Sequence, residues 1–595
     1  FDVTVGTASQ LVITTQPVGG ASGSALATQP VVAIRDANGN TVTSDSTTAV
    51  TVAIQSGSGG SLGGSLTVIA SSGVVTFSGV TLTGLSSQNY VLRFTAVPVL
   101  TSADSSNVTL TAAETWNTWA ASWSITPTPT GNPDGDLYDN VIEYAFRLDP
   151  TQGSGAAYQM EPSSVSGASD LIFIRGVSSG SSDTTFEIQS TPALGSTTSW
   201  NTIALNPSFL QVVSNGDGTE TVRIIDIQTV TGLTSGSGFV RLKASVDTDG
   251  NTSPDAVSYT EVAGWYLTST GVGTQTEATR SFGNPFLEEA VFTGTVDSVS
   301  GQQLVLTTSA TTLDLATLLT SGSAFYLEFM TGAYAGSRFD VTAGGVGSLT
   351  LALDTDLYSG AAPYNTLLGA PPAGLAGSLF ILRRHQTLAS VFPPAAFTAT
   401  ANPTTASSFQ TYSGGAWQTY WLYTSGSATH WVLLGDSNLT DQNSTVLPSG
   451  QGAFLQSRTA VSDLLLYGKV RSNRFVRPMA VGINLVRSGF PLLQSPLDRS
   501  MTITGNGYTG NRDFKYADQI LIWNGDTTSG QTTYQTYFLV QPPVSQPSFV
   551  PRWARLADST IQSRDNDSLF RADGSAVIRV LNALPTNTMP LPWNP

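Results

Sequence analysis

Apolar and polar residues alternate in short runs over the first 112 positions: "QLVITTQP", "PVVAIRD", "AVTVAIQ", "GVVTFSGVTL" and "YVLRFTAV". Each run is rich in β-branched residues and is closed by Gly, Asn, Asp or Pro, which is the spacing of a β-sandwich. Between two of them "DANGN" places Asn38-Gly39 where a tight hairpin needs positive φ. The period then changes. In "AAETWNTWAASWSI" the indoles of Trp116, Trp119 and Trp123 recur at i, i+3 and i+7, one face of a short helix, which points to packing. "TPTPTGN" stops that helix.

From 151 to 257 the β pattern returns in "DLIFIRG", "TTFEIQSTPAL", "TETVRIIDI" and "GFVRLKAS", and predicts a second sandwich. Strands continue from 258 onward and include an internal duplication. "QTYWLYTSGSATHWVLLGDSN…LPSGQGAFLQSR" (418–458) aligns with "QTYFLVQPPVSQPSFVPRWARLADST…RADGSAVIRV" (535–580): QTY, an aromatic, Leu, a polar gap, Trp, then Leu and Asp, later Gly and an apolar strand. The pattern therefore predicts an all-β multidomain chain. Its units are an Ig-like sandwich (1–112), a helix-loop-helix junction (113–150), a second sandwich (151–257), a β-rich module (258–380) and two β-rich repeats (381–480 and 481–595).

Against this background one passage stands out. Only 11% of the residues are charged, yet "GNPDGDLYDNVIEYAFRLDP" (131–150) crowds Asp134, Asp136, Asp139 and Glu143 together. Counting twelve positions from Asn132, oxygen donors fall at 1 (Asn132), 3 (Asp134), 5 (Asp136), 9 (Asn140) and 12 (Glu143), with the Tyr138 carbonyl at 7. That spacing wraps a hard cation in oxygens and closes it with a bidentate Glu, so structural Ca2+ is expected. Position 1 is Asn, and position 6, where such loops carry Gly for a sharp turn, is Leu137. A solvated turn capped by Asp139 or Asn140 explains one or two of the carboxylates but not all the spacings. A second acidic run, "VDTDGNTSPDAVS", offers Asp247 and Asp249 but has Ser258 at position 12, and is discounted.

Three resemblances bear on these segments. Residues 1–112, with D-x-N-G-N and the run from Gly79 to Gly84, resemble bacterial Ig-like domains of the invasin and intimin kind, which implies a stalk or spacer. The Trp-bearing helix followed by "NPDGDLYDNVIEYAFRLDP" resembles an acidic element of large secreted surface proteins of the Planctomycetes–Verrucomicrobia group, which implies a calcium-stapled junction. "STPALGSTTSWNTI", "GINL" and "ADQILIWNG" resemble β-rich elements of those same proteins, and the implied C-terminal domain has no established chemistry.

Charge and composition narrow the function. The net charge of −16 argues against a nucleic-acid partner. It is uneven: residues 1–260 carry −13, 261–380 carry −8 and 381–595 carry +5. Zero Cys excludes disulfides, thiolate metal sites and cysteine nucleophiles. No window reaches 18 apolar residues, so no membrane insertion is expected. A chain opening at Phe1 is expected to follow removal of a signal peptide, which places it at the cell surface.

The sequence predicts no enzyme. Its two His, His385 and His430, lie outside any recognised motif. "GDSNL" (435–439) has no His downstream, and "GGSLG" (59–63) sits in a loop of a sandwich rather than on a strand-turn-helix elbow. The leading expectation is a self-associating subunit of an extracellular filament or layer. Its head-to-tail contact would set the basic "KVRSNRFVR" (469–477) against the acidic N-terminal half of the next copy, with residues 1–8 added to a neighbouring sheet edge. The alternative is an adhesin binding surface glycans on the aromatics of "AWQTYWLY" (416–423).

Overall fold

The computed structural model describes residues 5–594 except 24, 85–87, 111–114, 177–182, 196, 216–218, 250, 252, 269–277, 301–302, 307–314, 320–323, 352–373, 414, 427, 459–463, 527–532, 542–549 and 585–586. The fold is all-β and multidomain, as the alternation predicts. In the first unit, strand Val31–Arg35 pairs with Gln10–Thr15 and Val74–Thr76. A second sheet is built on Asn89–Val97 and Ala49–Ser56. Val32, Ile34, Val50, Val52, Leu92 and Phe94 pack between them. Of the segment expected to add to a neighbour, residues 1–4 lie outside the described residues. Gly6 N–H donates to Asp36 Oδ2 of its own domain at 2.8 Å.

Two short helices follow, α1 (Trp116–Ser122) and α2 (Asn140–Phe146). Thr115 caps α1 and Asp139 caps α2, its carboxylate accepting the Ile142 N–H at 3.2 Å. The aromatic face of α1 is used for packing: Trp116 and Trp119 are buried against the Tyr144 ring, at 5.5 and 5.2 Å between centroids, while Trp123 lies at the surface. Read along the sequence, 113–150 stands apart as a junction. In the fold its apolar residues Trp116, Val141, Ile142 and Phe146 share one core with Phe173, Val222 and Leu242 of the second sandwich. A short amphipathic helix has little stability alone and gains it by burying its apolar face.

The second sandwich places Tyr158–Pro162, Ser169–Gly176, Thr219–Ile224 and Leu210–Ser214 in one sheet. The other sheet runs on through Ala263–Thr268 to Leu464–Lys469, so it extends well past residue 257 and takes a strand from 200 residues downstream. The strands between Ala290 and Arg384 close into a six-stranded barrel with a core of Phe292, Leu304, Leu327, Phe339, Leu349 and Phe380.

The duplication is present at the level of topology. One sheet has the order Ala278–Phe282, Ala453–Ser457, Ser408–Ser413, Ala416–Thr424, Thr429–Leu433. The other has Gly482–Arg487, Ser575–Val580, Gln519–Trp523, Tyr534–Val540, Arg552–Arg555. The order is the same in chain sequence and in space, except that the barrel is inserted after the first strand of the first copy. Matching atoms make matching bonds. The Tyr420 and Tyr537 hydroxyls donate to Gln418 and Gln535 Oε1 at 3.0 and 2.8 Å. Trp431 and Trp553 backbone N–H groups donate to Asn443 and Asp565, at 3.1 and 2.8 Å. Their indoles donate to the carbonyls of Phe392 and Met501, at 2.8 and 2.6 Å. The Asn443 and Asp565 bonds also satisfy one backbone N–H on the edge strand of each sheet.

Sparse charge is spent inside. Arg280–Asp573 and Arg383–Glu261 are buried pairs at 2.8 Å, and Arg471 is paired with Glu328. Each joins a different pair of units: the two repeats, the second sandwich with the barrel, and the barrel with the chain after Leu464–Lys469. This corrects the expected basic surface. In "KVRSNRFVR" the side chains of Lys469, Arg471 and Arg477 are buried, and among its basic residues only Arg474 is exposed.

Candidate metal centre

The acidic knot lies between α1 and α2 and is held from both sides. Gly135 takes φ +67°, so the sharp turn falls on position 4 and leaves Leu137 at position 6 in ordinary backbone. Asp136 Oδ1 accepts the Tyr138 N–H at 2.6 Å and Oδ2 accepts the Ser154 N–H at 2.8 Å. Strand Ala290–Ser300 of the barrel closes over the loop. The Thr293 hydroxyl donates to Asp136 Oδ2 at 3.2 Å and accepts the Leu137 N–H at 3.3 Å, and the Thr295 hydroxyl donates to the Gly135 carbonyl. Ser258 clamps Asp139 Oδ2 at 2.5 Å. Ser258, Thr293 and Thr295 are not marked as partners by the local sequence, because each lies more than a hundred residues along the chain from the loop it holds.

One carboxylate oxygen from each of Asp134, Asp136 and Glu143 falls within 4.8 Å of the others, and all three residues are buried. Asn140 is buried beside them, its Nδ2 donating to the Thr128 carbonyl at 2.9 Å. Asn132 is placed differently: it is exposed, and its amide accepts from the Asp136 N–H at 3.1 Å and donates to the Asp136 carbonyl at 2.9 Å. The Tyr138 ring is buried and its hydroxyl accepts the Ala157 N–H at 3.1 Å. Its assigned ligand atom is the backbone carbonyl.

The decisive feature is what these groups lack. Both Glu143 oxygens and Asn140 Oδ1 are buried and accept no hydrogen bond from any of the described residues. Burial, then the charges of Asp134 and Asp136, push the Glu143 carboxyl up to about 10. Burial also raises Asp134, with Asp136 next, and it raises Asp136 against the Tyr138 and Ser154 N–H donors. Three carboxyls so placed cannot all stay ionised without a positive charge among them. The donor set is all oxygen, and its orphaned acceptors suit a metal ion. A second triad, Asp247, Asp249 and Asp255, also comes together although the sequence reading discounts that stretch, but it lies towards the surface.

Comparison with known proteins adds little. No family model matches the chain, and no curated protein matches it. Among solved structures, the dimeric latent PorU from Porphyromonas gingivalis is similar over 71% of this chain, with 10% identity and a TM-score of 0.17. This chain spans 33% of the length of that one, and a likeness of that size carries no argument.

Proposed function

We propose that the knot binds Ca2+ and that the protein is an extracellular structural subunit, without enzymatic activity, that associates with copies of itself. Glu143 would close the site with both oxygens, Asp134, Asp136 and Asn140 would supply further ligands, and the Tyr138 carbonyl is within the same loop. Calcium suits a set that is hard and all-oxygen and closes with a bidentate carboxylate. Asn132 would contribute only by giving up one of its bonds to Asp136.

The observation that carries the structural reading is the way the units are joined. Shared strands and buried ion pairs (Arg280–Asp573, Arg383–Glu261, Arg471–Glu328) tie the second sandwich, the barrel and the two repeats together. Such pairs cost desolvation and are retained where geometry has to be specified. The two His serve neighbours: His385 Nε2 lies 2.7 Å from Asp340 Oδ1, and His430 Nε2 donates to the Leu439 carbonyl at 3.0 Å. Negative-stain imaging and light scattering of the pure protein in calcium test the assembly. A monodisperse monomer at high concentration overturns it.

The adhesin reading keeps one specific support. Of the aromatics in 416–423, Tyr420 and Trp421 are buried, whereas Trp417 is 43% exposed. Its counterpart in the second copy, Tyr534, is 39% exposed. Both close the same hairpin, opposite Tyr412 and Trp523, with Phe454 between the two pairs. A glycan array with the intact protein and Trp417→Ala separates this reading from pure self-association.

A further inference from the structure

Away from the acidic knot, a cavity of about 690 Å³ opens where the second sandwich meets the first repeat. Ligand sites typically span about 300–1,000 Å³. Its apolar walls include Met160, Leu287, Val391, Pro393 and Leu465, and its polar side presents Glu288, Glu289 and Tyr467. The charges near this side are almost all committed. Glu289 Oε1 accepts the Met160 N–H at 3.1 Å, and its Oε2 lies 3.4 Å from the buried Lys469 ammonium. Arg383 is paired with Glu261 at 2.8 Å and donates to the backbone carbonyl of Glu288 at 2.7 Å. Glu161 is paired with Arg223 at 2.8 Å.

Glu288 is the exception. Its carboxylate has no hydrogen-bond or ion-pair partner among the described residues, although it is half-buried in the cleft. Burial and the adjacent Glu289 outweigh Arg384 and Arg383 and raise its pKa, so the site is short of positive charge. A half-buried carboxylate beside an apolar wall is complementary to one cation carried on an apolar stem.

We propose that this cleft binds a primary ammonium on an aliphatic chain, with the ammonium on Glu288 and the stem along Met160, Val391 and Leu465. A lysine side chain of a peptide and a free alkylamine share that chemistry. Saturation-transfer NMR on the full chain, with n-pentylamine, Nα-acetyl-lysine N-methylamide, 1-pentanol and pentanoate as probes, tests it. Pentylamine is expected to bind and pentanoate is not. If the lysine derivative also binds, the source is a peptide; if it does not, the site takes free amines. Glu288→Gln is expected to weaken pentylamine about tenfold, which corresponds to about 1.4 kcal/mol. Val165→Trp, at an exposed position on the cleft, is expected to block binding without disturbing a core and serves if the first variant fails to fold. The proposal is overturned if neither amine binds, if 1-pentanol binds as well as pentylamine, if folded Glu288→Gln binds pentylamine like the parent, or, should that variant not fold, if Val165→Trp does.

Discussion

Two acidic turns in this chain use the same residue types to opposite effect. At Asp36, in the first sandwich, the carboxylate accepts N–H groups from Gly6 (2.8 Å), Asn38 (2.9 Å) and Asn40 (2.9 Å), and the Asn40 amide adds a fourth bond. Those donors, the Gly6 N–H foremost, hold its pKa down to about 2. At Glu143 no donor among the described residues reaches either oxygen, and the pKa rises to about 10. The first turn is complete as folded. The second is complete only with a cation, so a buried carboxylate is informative through the donors it lacks rather than through its presence in a motif.

The strongest test of that contrast is chelation. With calcium at a hundred times its Kd, the ion is expected to stabilise the folded unit by about 2.7 kcal/mol. Removing it should lower the transition of the second sandwich, whose core includes α2, and leave that of the first sandwich in place. Calorimetry with and without EGTA reads this directly; two unmoved transitions count against the ion.

Glu143→Gln sharpens the contrast because its sign depends on calcium. It replaces a carboxylate that needs a cation by a neutral group of the same shape. In calcium it should destabilise by about 1–3 kcal/mol, whereas in EGTA at pH 8 it should stabilise relative to the parent. Urea unfolding under the two conditions tests the reversal.

The pH dependence should also divide the two regions. A group whose folded pKa is raised stabilises most below its unfolded value, and that contribution is lost as pH rises through the folded pKa. In EGTA, the second sandwich should therefore lose stability from about pH 4 to about pH 10, following Glu143. The depressed Asp36 works the other way: its contribution is present above about pH 4 and lost as pH falls towards 2. Thermal scans across pH with chelator should show the two transitions moving in opposite directions.

The smallest expected effect is that of Asp36→Asn. It removes the charge and sets an amide NH2 group against two of the donors that now face a carboxylate oxygen, so it should lower the first transition and flatten its acid limb, with no change in the calcium response. If it alters calcium binding, the two turns are coupled in a way this comparison does not allow.

The legible parts of the chain were those in which neighbours along the sequence are neighbours in space. Alternation in "YVLRFTAV" predicts the strand Asn89–Val97, because side chains alternate faces whatever the sheet around them, and the short apolar run "VVAI" predicts Val31–Arg35. Asp139 or Asn140 before the apolar run of α2 predicts a cap, which Asp139 supplies, and the QTY and Trp spacing predicts the duplicated sheets. The same local logic brought Asp134, Asp136, Asn140 and Glu143 to notice.

Long-range pairing was beyond that logic. Nothing in "ATRSF" marks it as the first strand of a sheet whose other strands begin only at Ser408, with a barrel between. Nor does "KVRSNRFVR" show that Lys469, Arg471 and Arg477 are interior, since a basic residue is buried only where a distant partner such as Glu289 or Glu328 is brought to it. The order of residues along the chain is enough to set the strand pattern, the cap of α2, the repeat and the clustering of carboxylates. Which of those carboxylates receive donors from afar is set in three dimensions: Gly6 folds onto Asp36, Thr293 and Ser154 onto Asp136, and none of the described residues donates to the Glu143 carboxylate. Desolvation and hydrogen bonding, which set the charge state of a carboxyl, depend on what surrounds it in space, and a linear spacing does not contain that information.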